Sequence, residues 1–86
     1  MRTGDHVRHR PSGEVWVVAY VRPETDDLAW CGWPHGLARM YDCEMVKACS
    51  DEDHVKLLTD MSRVENDSRG SYARRAIVLR ARGMPY

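Results

Sequence analysis

The chain has 86 residues, no net formal charge, 43% hydrophobic residues and no phenylalanine. That length suits one domain, residues 1–86, with a small core. Aliphatic side chains and Trp16, Trp30 and Trp33 must fill it. No run approaches the roughly 18 apolar residues of a membrane span, and Met1–Asp5 lacks signal-peptide character. Three cysteines are an odd number that argues against a disulfide framework. A cytoplasmic protein without a membrane partner is expected.

The first predicted element is a short strand in which Val7 and His9 face one side and His6, Arg8 and Arg10 the other. Pro11-Ser12-Gly13 turns the chain, because proline presets φ and glycine admits a positive one. A second, longer strand runs from Glu14 to Arg22. Period-two reading puts Val15, Val17, Ala19 and Val21 on one face and Trp16, Val18 and Tyr20 on the other. Both faces are apolar, so both must be covered, as where a sheet curls on itself and a helix packs outside. Pro23–Asp27 makes the next turn, and Leu28–Trp33 reads as a third strand ended by Pro34.

Residues 34–39 are too short for more than a turn of helix. Asp42–Ala48 reads as a fourth strand. Ser50 then opens the clearest helix, 50–64, with a hydroxyl placed to cap residue 53 and three acids at the positive end of the helix dipole. Val55, Leu58 and Met61 form its apolar stripe. The last segment, 69–82, reads two ways. As a helix it aligns Tyr72, Ala76 and Leu79, with Arg74, Arg75, Val78 and Arg82 opposite. As a strand it sets Ile77, Leu79 and Ala81 against Val78 and Arg80. Its alanines and arginines favour helix by propensity. The expected class is therefore α+β: a small, strongly bent antiparallel barrel or sheet of the SH3-like kind over residues 4–49, followed by helices.

Chemistry-bearing patterns are sparse. Cys31, His35, Cys43, Cys49 and His54 lack the paired Cys-x2–4-Cys clips of structural zinc, so no metal site is expected. No phosphate-cradling glycine loop or metalloprotease histidine pair occurs, and no motif groups a nucleophile with a base, so neither a cofactor nor an enzyme is expected. Trp33, His35 and Tyr41 flank a turn, where exposed aromatics can anchor a protein surface. Charge is unevenly spread, at +2 over residues 1–22, −6 over 23–62 and +4 over 63–86. The acidic and basic segments can offset each other in the fold, or one face can attract a charged partner. Within the basic third, Arg69, Arg74, Arg75 and Arg82 are candidates for nucleic-acid phosphates.

The pattern Gly4-Asp5-x-Val7-x-His9-x-Pro11-Ser12-Gly13-Glu14-x-Trp16-x-Val18-Ala19, followed by Leu28-Ala29-Trp30-Cys31-Gly32-Trp33-Pro34, resembles small phage or prophage-encoded proteins with an SH3-like barrel. The resemblance covers residues 4–49. It implies an accessory binding protein that blocks or redirects a host defence, nuclease or regulatory complex. Two functions stand as expectations: a non-enzymatic protein-binding module, and a nucleic-acid-binding regulator acting through the arginine-rich helix.

Overall fold

The computed structural model describes residues 1–32 and 36–86. Five strands, β1 (His6–His9), β2 (Val15–Arg22), β3 (Asp27–Cys31), β4 (Gly36–Arg39) and β5 (Cys43–Lys47), are followed by two helices, α1 (Asp51–Met61) and α2 (Ser68–Ala81). All strand pairs are antiparallel, in the order β4-β3-β2-β1-β5. The first four strands form a meander. A 3-10 turn, Met40–Asp42, then carries the chain back to lay β5 beside β1. The class is α+β, as expected. The sheet is open rather than closed, with β4 and β5 as its edges among the described residues.

β2 and β3 carry two apolar clusters, one on each face. Pairing fixes the first face: Val7 opposes Trp16, Val18 opposes Trp30, Val21 opposes Leu28 and His9 opposes Cys43. Its buried members, Val7, Trp16, Val18, Leu28, Trp30 and Cys43, all come from strands. Among the described residues no helix contributes to this cluster, so the sheet must curl around its own side chains to bury them. Trp16 and Trp30 are each only 7% exposed, and their rings stack at 3.8 Å with His9 above Trp16 at 4.1 Å. The Trp16 indole N–H donates to Glu14 at 3.0 Å.

The second face packs against the helices through Ala19, Tyr20 and Ala29 on the sheet and Leu58, Met61, Ala73 and Ala76 on the helices. Strict alternation fails here. A β-bulge between Val18 and Tyr20 inserts Ala19, so Ala19 and Tyr20 both turn to the helices and Val21 rejoins Val18 and Trp16. The expected pairing of Tyr20 with Trp16 on one face is corrected on that ground.

Three further boundaries differ from expectation. Residues 36–39 form a strand rather than a helical turn, because Leu28 and Ala29 of β3 offer Ala38 and Leu37 a ladder to join. α1 spans 51–61 rather than 50–64: Ser50 is its cap, accepting from the Asp53 amide at 3.1 Å, and the chain leaves the helix at Ser62. α2 is a helix, beginning at Ser68 under an Asp67 cap. It includes Gly70, where a Cβ would sit 2.0 Å from the Val64 carbonyl oxygen. Only glycine lets the start of α2 lie that close to the loop leaving α1.

The residues before β1 are fastened to the start of α1. Asp5 accepts from the amides of Cys49 and Arg2, each at 2.8 Å. Arg2 in turn bonds the Cys49 carbonyl at 3.1 Å and pairs with Asp51 at 2.9 Å. Gly4 has φ +101°, and a Cβ there would meet the Cys49 sulfur at 3.1 Å. Buried His54 reaches the Thr3 carbonyl at 2.7 Å through Nδ1 and the Tyr86 hydroxyl at 2.6 Å through Nε2. Among the described residues no helix is long and apolar enough to cross a membrane.

Candidate protein-binding surface

Tyr41 sits at the centre of the 3-10 turn between β4 and β5. Three hydrogen bonds pin that turn. The Met40 amide donates to the Asp26 carbonyl at 2.7 Å, the Arg10 amide to the Asp42 carbonyl at 2.8 Å, and the Arg10 guanidinium to the Tyr41 carbonyl at 2.6 Å. Glu44 holds Arg8 at 3.0 Å and lies 3.9 Å from Arg10, so these two arginines beside the turn are paired. The backbone is thus fixed while the Tyr41 side chain is 67% exposed, more than any other large hydrophobic residue among those described. An aromatic ring held out by a rigid turn loses little conformational freedom on contact, which suits it to anchor a partner. Trp33 and His35, its expected companions, lie outside the described residues.

The four candidate arginines divide into two kinds. Arg69 is a strut: its Nε donates to the Trp30 carbonyl at 2.9 Å, its guanidinium lies 3.4 Å from Asp67, and its side chain is 16% exposed. Arg74 donates to the carbonyls of Ser62 and Val64 at 3.1 and 2.9 Å, satisfying acceptors freed where α1 ends. The exposed side chains of Arg75 and Arg82 make no hydrogen bond or ion pair among the described residues. They are seven residues apart, Arg75 within α2 and Arg82 at its C-cap, and so lie toward one side of the helix. The sequence marks all four alike, because, Asp67 apart, the groups that engage Arg69 and Arg74 are backbone carbonyls of other segments.

Cys31 and Cys43 lie apart from the others, whereas Cys49 and His54 meet at one acceptor, the Thr3 carbonyl. Cys43 lies in the strand-only cluster, Cys31 approaches the Met61 sulfur at 3.8 Å, and Cys49 donates to the Thr3 carbonyl at 3.3 Å. No group of three or more potential metal ligands occurs among the described residues. Burial raises the pKa of all three thiols above the ordinary value, and Asp5 adds to the effect at Cys49. They are held as thiols rather than reactive thiolates. His54 has both ring nitrogens engaged.

One feature escaped the sequence reading. A cleft of about 270 Å³ lies between the end of β2 and α2, with Arg22 and Arg75 on its rim. These arginines are far apart in sequence, and only the packing of α2 on the sheet brings them together. Comparison with protein-family models, with curated proteins and with solved structures finds no match for this chain.

Proposed function

We propose that the chain is a non-enzymatic protein-binding module on an SH3-like scaffold, with Tyr41 as an anchor. The observation that carries this reading is the exposed Tyr41 ring on a turn fixed by Asp26 and Arg10. The strand order, with β5 returned beside β1 through that turn, supports the SH3-like description. The resemblance to small phage-encoded proteins suggests a host defence or nuclease complex as the partner. The test is capture of a saturable partner by immobilised wild-type chain and by Tyr41→Ala. The variant is expected to lose capture with an unchanged melting temperature, since exposed substitutions usually stay within about 0.5 kcal/mol. Undiminished capture by the variant overturns Tyr41 as the anchor.

A second reading has its own support: the exposed, unpaired side chains of Arg75 in α2 and Arg82 at its C-cap could meet phosphates of a nucleic acid. It predicts low-salt binding to DNA or RNA that weakens steeply as salt rises and is lost in Arg75→Gln/Arg82→Gln. No shift of either nucleic acid at low salt eliminates it.

A further inference from the structure

We propose that the cleft between the end of β2 and α2 is the seat of an acidic peptide segment of a partner protein. In this seat Arg75 holds a carboxylate and the floor takes an adjacent large apolar side chain. The inference rests on the protein-binding reading and gives that partner its chemistry.

Size limits the occupant first. At about 270 Å³ the cleft is smaller than the roughly 300–1,000 Å³ of small-molecule sites, and it matches a side-chain anchor better than a whole cofactor. Its walls include Pro23, Ala76 and Leu79, which favour an apolar insert. Charge then selects the flanking residues. Arg22 and Arg75 border the cleft against one side-chain carboxylate, Glu24, and Pro85 and Tyr86 complete its lining. Arg22 is partly engaged by the Tyr20 hydroxyl at 3.3 Å, whereas the Arg75 side chain has no hydrogen bond or ion pair among the described residues. A guanidinium at the edge of an apolar cleft is suited to a carboxylate, which it can hold by two parallel hydrogen bonds.

Aromatic placement favours a peptide over a nucleic acid here. Stacking a base requires an open ring face. Of the three lining rings, Tyr20 is 5% exposed and stacked on Tyr72 at 4.9 Å, with the Arg22 guanidinium 5.7 Å from its centre. The more exposed Tyr86 is stacked on His54 at 5.7 Å. The turn after β2 also links the cleft to the anchor described above. Pro23 and Glu24 border the cleft, and the Asp26 carbonyl of the same turn holds Met40 beside Tyr41.

The experiment titrates isotopically labelled full chain with a pentapeptide of leucine flanked by two glutamates on each side. The same peptide with lysines and a short oligo-dT are run beside it. Saturable chemical-shift changes at Val21, Arg22, Arg75 and Leu79 with the glutamate peptide alone are expected. Arg75→Glu should weaken that binding about tenfold, while Arg82→Glu at the C-cap of the same helix should change it less than about threefold. Equal losses in the two variants would show diffuse attraction to α2 and overturn the proposal. So would failure of the glutamate peptide to saturate. If Tyr41→Ala still abolishes partner capture in that case, the binding module stands and only the cleft assignment falls. Oligo-dT shifting Arg75 and Arg82 together, with no peptide response, overturns both in favour of nucleic acid.

Discussion

The two faces of the sheet solve the same burial problem in opposite ways. The strand-only face fills space with large side chains, including two stacked indoles, and the curl of the sheet encloses them. The helix-covered face places alanines at Ala19, Ala29, Ala73 and Ala76, with Gly70 at the start of α2, so that layers approach closely. The first face depends on volume and the second on its absence. A small chain without phenylalanine can use both only by keeping them on opposite sides of the same two strands.

This contrast makes opposite demands on substitution. The largest effect is expected from Trp16→Ala, which removes the middle ring of the His9–Trp16–Trp30 stack and leaves a cavity. It should cost about 4 kcal/mol in urea denaturation. A loss below about 1 kcal/mol would show that the curled sheet collapses to fill the gap. Gly70→Ala, which adds volume on the other side, should cost about 3 kcal/mol, because the neighbour at 2.0 Å is a backbone oxygen that cannot rotate away. If Gly70→Ala proves neutral, close approach is not what holds α2 in place.

A smaller effect belongs to Asp5, which joins the N-terminal segment to the start of α1. Burial alone would raise its pKa, but the Cys49 and Arg2 amides more than offset this and hold it below the ordinary 3.8. A folded value below the unfolded one gives stability that is present above about pH 4 and lost as pH falls through the folded value. Asp5→Asn should therefore flatten the acid branch of a stability–pH curve and cost about 2 kcal/mol at neutral pH. An unchanged acid branch would mean that Asp5 adds nothing to the fastening.

Much of this contrast was legible in the residues. The two-faced apolar run Val15–Val21 implied covering on both sides, and Ser50 with its following acids marked the start of α1. The bulge at Ala19 was not legible, because alternation carries no sign of an inserted residue. The need for glycine at residue 70 was not legible either, since propensity does not register the Val64 carbonyl that lies against it at the start of α2. Charge pairing was partly foreseen. Arg2, Arg8 and Arg10 of the basic first third do meet Asp51 and Glu44 of the acidic middle. Of the candidate binding residues, Tyr41 could be named because aromatics near turns are conspicuous. The cleft between Arg22 and Arg75 could not, because tertiary packing alone creates it.

The position of β1 bears on how the chain acquires its shape. β1 lies between β2 and β5 and spans only residues 6–9. It reaches β2 across residues 10–14, but it meets β5 only after residues 10–42 have been traversed. The first pairing is local and fast; the second must wait for a long loop to close. Until then the open side of β1 is an unpaired edge able to accept a strand from another molecule. The closing step that completes the sheet thus also ends the interval in which the chain is most exposed to misassembly.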